Sequence, residues 1–168
     1  MVLSLKLGNY TVIHGIHVKF DEIDRRLLTI LQKDADMSLE MIGEKIHLSR
    51  NACWRRIKAL EEAGVIKGRV ALLDAKKLGL GLSVFIMIRT SEHSDEWVTQ
   101  FRASTRDMPE VQGVHRMTGD LDYLIRARVA DMADYDRLYQ ALIRRVPLSD
   151  VSASFVMEDI KDTHQLPL

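Results

Sequence analysis

Among these 168 residues there is a single cysteine, Cys53. One thiol closes no intrachain disulfide and by itself makes no zinc site. No apolar run approaches the roughly 20 residues needed to span a bilayer, so no membrane partner is expected. Residues 1–19 make a poor export signal, because Lys6 interrupts the short apolar stretch and no small-residue cleavage site follows. A cytoplasmic protein is the expectation. Catalytic patterns are missing too: there is no Ser/His/Asp spacing, no paired carboxylates beside a nucleophile and no phosphate loop. The six histidines are scattered. His14 and His17 sit one helical turn apart but have no third or fourth ligand near them. An enzyme, a metal and a cofactor are therefore not expected.

Excess charge of either sign is lacking as well, since 24 basic residues balance 24 acidic ones. The distribution is uneven, however. From Lys45 to Val70 seven basic residues (Lys45, Arg50, Arg55, Arg56, Lys58, Lys67, Arg69) face only Glu61 and Glu62. From Ala71 onward the balance turns acidic. Local charge, not the total, decides whether phosphate is attracted.

The hydrophobic period divides the chain in two. Residues 1–19 have no clear period and read as an extension, or as a leader from an upstream start codon. Asp21 to Lys33 reads as a helix, with Ile23, Leu27, Ile30 and Leu31 on one face and acids in the first turn. A second helix starts at Ser38, a capping residue, with Leu39, Ile42 and Ile46 on one side. A third follows Ser49, with Cys53, Ile57 and Leu60 inward, and stops at Gly64. Only His47, Leu48 and Ser49 separate the second from the third. Two short helices joined by a tight turn, the second basic outside, are the sequence form of a helix-turn-helix. Val65 to Val70, apolar around Lys67-Gly68, suits a small β-wing. The winged helix-turn-helix then covers residues 20–70, and 71–79 form a linker.

From residue 80 to 168 the rhythm changes. Leu80 to Arg89 alternates as a strand, Asp95 to Asp107 is helical, and Val111 to Thr118 with Leu121 to Val129 forms a hairpin. Met132 to Val146 is a helix, and Val151 to Ile160 is a closing strand. The order βαββαβ is ferredoxin-like, which makes the chain α+β. Two helices cover one face of such a sheet. The other face would show Phe85, Met87, Val114, Leu124 and Val156, an apolar set that usually marks an interface. A homodimer pairing two sheets would bury it; a partly wet surface is the alternative.

Several runs resemble the Lrp/AsnC family of transcription regulators. They are Phe20-Asp21-Glu22-Ile23-Asp24-Arg25, Leu48 through Arg56, Leu60 through Ile66, Thr118 through Leu124, and Val156 through Lys161. The similarity runs in order from about Phe20 to the C-terminus. Cys53-Trp54, Leu78 through Leu82, Glu96-Trp97, Met108 through Val111 and Val129 through Met132 are similar to the cysteine-responsive DecR-like branch. The resemblance implies an N-terminal winged helix-turn-helix that binds double-stranded promoter DNA. It also implies a C-terminal RAM/AsnC-type βαββαβ domain that binds an amino-acid effector. Homodimers of the family often assemble into tetramers or octamers, with the effector between dimers.

On the third helix, Arg50, Asn51, Trp54, Arg55 and Lys58 face away from the core. Residues near the start of a recognition helix reach base edges in the major groove: Arg50 suits guanine and Asn51 adenine. Ser49 belongs to this set or serves only as the helix cap. Arg55, Arg56 and Lys58 suit phosphates, although Arg56 could instead pair with an acid of the first helix. Lys67 and Arg69 would touch backbone from the wing. A solvated charged helix is the bland alternative for the whole set. Cys53 lies on the buried stripe, so a small core residue competes with a redox sensor there.

An amino-acid ligand needs donors for its carboxylate and acceptors for its ammonium. The hairpin run Thr118, Gly119, Asp120, Asp122 and Tyr123 supplies both, while Gly119 is equally explained by a turn that needs positive φ. The resemblance implies that Ser152 and Ser154 match a Thr-x-Thr pair lining the family's pocket. Arg126 and Arg128 lie on the open face, available to a ligand carboxylate or to an ion pair with Asp122. An architectural DNA-compacting protein indifferent to ligands would keep the same helix-turn-helix. RNA binding lacks the exposed aromatic strand pairs that stack bases.

Overall fold

A computed structural model describes residues 10–13, 16–19 and 21–168. Two compact units emerge: residues 1–71 with 162–168, and residues 72–161.

The first unit begins with an antiparallel hairpin, β1 (Tyr10–Ile13) and β2 (Ile16–Lys19), in a region where no strand period is visible. His14 lies outside the described residues. Three helices follow: α1 (Glu22–Leu31), α2 (Leu39–Ile46) and α3 (Arg50–Glu62). Each starts at a side chain that accepts a hydrogen bond from a free backbone N–H: Asp21 from Asp24, Ser38 from Met41, Ser49 from Ala52. Leu27, Ile42, Ile46, Cys53, Ile57 and Leu60 form the core, all six of them residues that the helical period picks out.

The expected wing is not built as strands. No strand forms among residues 63–81. The N–H groups of Val65 and Ile66 both return to the Leu60 carbonyl, at 2.9 and 3.2 Å. Their side chains pack on the first core. These groups are therefore spent on closing α3 and are unavailable for a ladder. Residues 162–168 pack with the first unit, where the Gln32 amide donates to and accepts from the Leu166 backbone at 2.9 and 2.8 Å.

The second unit is a four-stranded antiparallel sheet in the order β4-β5-β3-β6, from β3 (Leu82–Arg89), β4 (Val111–Arg116), β5 (Tyr123–Val129) and β6 (Asp150–Phe155). Helices α4 (Asp95–Arg106) and α5 (Met132–Arg145) complete the βαββαβ order. Ser94 and Asp131 cap them. Val84, Ile86 and Ile88 of β3 join Tyr123, Ile125, Ala127 and Val129 of β5 against the helices. At the centre Trp97, Phe101 and Tyr123 pack with centroids 4.7–5.6 Å apart, Trp97 stacked on Phe101 and Tyr123 tilted against both. The indole N–H of Trp97 donates to the Pro147 carbonyl at 2.8 Å, as a buried Trp usually requires.

Two details correct the expected sheet. The closing strand ends at Phe155, one last hydrogen bond following it from the Val156 N–H to the Ser83 carbonyl at 2.9 Å; Met157 and Ile160 are exposed. A β-bulge between Val111 and Gly113 shifts β4 by one residue. Val114 therefore stands opposite Ile125, on the helix side, and not on the open face.

Candidate nucleic-acid interface and ligand surface

The turn between α2 and α3 is set by one close approach. A Cβ on Gly43 would fall 2.4 Å from the Leu48 carbonyl oxygen, so only glycine lets the turn lie this near α2. Leu48 N–H closes it by donating to the Gly43 carbonyl at 2.9 Å. His47 takes a left-handed conformation at the end of α2, and Ser49 then caps α3 through the Ala52 N–H at 3.2 Å. The capping role of Ser49 is thus formed without DNA.

Arg50, Asn51, Trp54, Arg55 and Lys58 are all exposed on α3, with Cys53, Ile57 and Leu60 buried beneath them. The indole of Trp54 is 53% exposed. Arg50 pairs with Glu40 of α2 at 2.6 Å, an exposed pair that contributes little stability but aims the guanidinium. Glu40 is held below its ordinary value, chiefly by its backbone hydrogen bond, with Arg50 adding to it. Lys58 and Arg69 share Glu61, at 3.6 and 2.9 Å. Arg55 and Lys67 make no ion pair with a described carboxylate.

Arg56 makes the alternative ion pair with the start of the first helix. Its Nη1 meets Asp24 at 2.8 Å and Asp21 at 2.9 Å. Asp24 is buried and Arg56 mostly covered, so the guanidinium ties α3 to the start of α1. Burial acts to raise the Asp21 carboxyl, but the Asp24 N–H and Arg56 together hold it below its ordinary value. Cys53 is wholly buried, and burial pushes its thiol up, which makes it a weak nucleophile.

On the second unit, the turn after β4 carries Thr118, Gly119 and Asp120, all exposed. Gly119 has φ +97°, a conformation that favours glycine. Arg89 holds this turn by donating from Nε to the Asp120 carbonyl at 2.9 Å and from Nη1 to Asp150 at 2.8 Å. Asp122 is already engaged, its carboxylate accepting from the Thr90 N–H at 2.8 Å. Ser152 and Ser154 stand exposed on the open face, opposite Met87 and Phe85. Tyr123 does not join them. It is buried on the helix side, so the sheet separates it from both serines. Arg126 shares the Phe85 row with Ser154, and its Nε is buried without a partner. The alternative ion pair of Arg126 or Arg128 with Asp122 is not formed.

Both units match known family models. Residues 20–61 match the AsnC-type helix-turn-helix domain, and residues 83–166 the Lrp/AsnC ligand binding domain. The DNA-binding transcriptional activator DecR of Escherichia coli K12 is 50% identical over 88% of this chain and 98% of its own length. The chain belongs to the Lrp/AsnC family. A crystal structure of an AsnC family transcriptional regulator from Agrobacterium tumefaciens overlays with a TM-score of 0.85 at 45% identity, covering 88% of this chain and 97% of that one. A Neisseria meningitidis transcriptional regulator solved with L-Met overlays at 0.83 and 33% identity, covering 88% and 96%. This Lrp/AsnC member is thus a DNA-binding transcriptional regulator and not an enzyme. Its effector-modulated architecture pairs a helix-turn-helix with a ligand-binding domain. No described helix is long and apolar enough to cross a membrane.

Basic residues to which the sequence assigns no site also gather on the first unit. Arg25, Arg26 and Lys45 line a cavity of about 510 Å³ that Leu168 enters. Arg25-Arg26 was the only signal for it, and such a pair looks like any solvated helix face.

Proposed function

We propose that α3 is the recognition helix, with Arg50 and Asn51 at base edges and Arg55, Lys58, Lys67 and Arg69 at phosphates, and that an amino acid bound on the second unit shifts its affinity for promoter DNA. The observation that carries this reading is the close α2–turn–α3 frame, which presents Arg50, Asn51, Arg55 and Lys58 together on the exposed side of α3 above a closed core. Arg126 and Arg128, free of Asp122, are available to the effector's carboxylate, and Ser152, Ser154 and the turn carbonyls to its ammonium. The match to DecR favours cysteine as effector; the protein would act in the cytoplasm.

A homodimer fits the surfaces. Phe85, Met87, Leu124 and Val156 are half-buried on the open face, and Val70, Leu72 and Leu73 are more than 70% exposed. Apolar area of this kind is covered by association. Effector binding between dimers would then favour one assembly over another, which requires unequal affinity for the two.

Fluorescence anisotropy on DNA upstream of the protein's own gene, at fixed salt, tests the reading. Selective binding shifted several-fold by one amino acid, with cysteine kept reduced, is the expected result. Selective binding indifferent to every amino acid would favour an architectural role. Absence of selective binding would overturn the assignment of α3.

A further inference from the structure

A cavity of about 450 Å³ lies between α4 and β4, on the helix side of the sheet and away from Ser152, Ser154 and Arg126. Phe101, Val111 and Val114 are among its apolar wall residues, and Arg102, Arg106 and Arg116 stand around it. No carboxylate lines it. None of the three arginines pairs with a described acid, although the ion pairs of the described residues are numerous elsewhere. Three guanidinium groups that never lose their charge are therefore gathered without compensation. Arg106, in the last turn of α4, also complements the helix dipole, but that accounts for neither Arg102 nor Arg116. Arg116 comes from a different element and faces this way only because of the bulge at Val111/Gly113.

We propose that this cavity binds a small dianion, a dicarboxylate or a phosphate-bearing metabolite, as a second ligand site. Its size falls in the range of small-molecule pockets, which combine an apolar wall with a few convergent polar groups. The planar forks of the arginines match carboxylate and phosphate oxygens in pairs. The Val98 and Phe101 side of α4 would receive the carbon skeleton. Bound there, the anion bridges α4 to the edge strand β4 and relieves the mutual repulsion of the arginines. The site is independent of the amino-acid surface on the opposite face.

Isothermal titration of the full chain with glutarate and with inorganic phosphate tests this. Ionic strength is matched by sodium chloride, and acetate serves as the monoanion control. One saturable site per chain is expected for at least one dianion, with acetate much weaker. Glutarate alone binding marks a carboxylate ligand, phosphate alone a phosphate one. Arg116→Gln and Arg102→Gln should each weaken binding about tenfold, in line with loss of a charge-assisted hydrogen bond. Arg116→Lys, which keeps the charge but loses the fork, should fall between and guards against a variant that misfolds. Arg55→Gln should bind the same anion as the parent. No saturable site, binding indifferent to the α4 and β4 arginines, or binding lost with Arg55 instead would each overturn the proposal. So would a change of oligomer size on Arg116→Gln in the absence of any anion site, which would make the arginines a contact between copies.

Discussion

Replacing Gly43 with alanine tests the geometry that aims the recognition helix. The new methyl would sit 2.4 Å from the Leu48 carbonyl oxygen, and that neighbour is backbone, not the end of a flexible side chain. Ordinary contact begins near 3.4 Å, so the turn must retreat by about 1 Å in a close-packed interior. Overpacking of this kind costs about 1–3 kcal/mol. Loss or lengthening of the Leu48 N–H bond to Gly43 adds about 1 kcal/mol. Against this stands the roughly 1 kcal/mol by which alanine improves on glycine within a helix. The net is a destabilisation of about 1–3 kcal/mol. In a unit this small each kcal/mol lowers Tm by roughly 4–8 °C. Thermal denaturation followed by circular dichroism reads it directly. Gly68→Ala, which meets nothing within 4 Å, is the control and should change stability by less than about 0.5 kcal/mol. DNA affinity should fall with Gly43→Ala even well below its melting point, because the turn carries Ser49 and Arg50. A Gly43→Ala protein that melts at or above the parent would refute the reasoning.

Arg55→Gln should weaken DNA binding with Tm unchanged and reduce the salt slope by about one phosphate contact; an unchanged slope would remove Arg55 from the backbone set. Arg56→Gln should instead lower stability by about 1–3 kcal/mol, discounted for its partial exposure, because it strands the buried Asp24; a stable Arg56→Gln protein with weaker DNA binding would return Arg56 to the phosphates. Asp21 is held below its ordinary 3.8, so its contribution is present above that value and lost as pH falls through the lower folded value. Urea midpoints measured from pH 5 downward should therefore fall more steeply for the parent than for Arg56→Gln, and parallel curves would count against the Asp21–Arg56 pair. Cys53 should react with a thiol reagent far more slowly than free cysteine at the same pH until urea unfolds the first unit, and fast labelling of the native protein would place the thiol outside the core.

Much of the fold was legible because its signals are local. Ser38 and Ser49 announce helix starts by the one chemical need every helix shares, and Cys53, Ile57 and Leu60 mark a buried stripe by spacing alone. The exposed set on α3 follows as the complement of that stripe. What the sequence left open or hid depended on distant partners. Arg56 lies at the border between the two faces of α3, and the sequence offers it either phosphates or an acid of the first helix; the meeting with Asp21 and Asp24 of α1 forms the second. The absent wing is of the same kind. Val65 and Ile66 have the composition of a strand, but the Leu60 carbonyl captures their N–H groups first. Met157 continues the alternation of the closing strand but is fully exposed, beyond the last residue that pairs with β3.

The bulge in β4 is the most consequential of these. Simple alternation from Val111 sends Val114 and Arg116 to the open face, because a strand's side chains repeat every two residues. One additional residue, Gln112, reverses every side chain after it. Val114 then leaves the surface expected to pair with a second copy, and His115 takes a place there opposite Leu124. The same reversal carries Arg116 to the helix side, beside Arg102 and Arg106. Those two are spaced four apart on α4 and by themselves describe nothing more than a solvated turn. The arginine-lined cavity was therefore not legible from residue types or spacing. It exists only once a helix and an edge strand are brought together in a register that a single inserted residue sets. Removing Gln112 should undo it: with the bulge deleted, Arg116 would turn to the open face and dianion binding should be lost even though all three arginines remain in the chain.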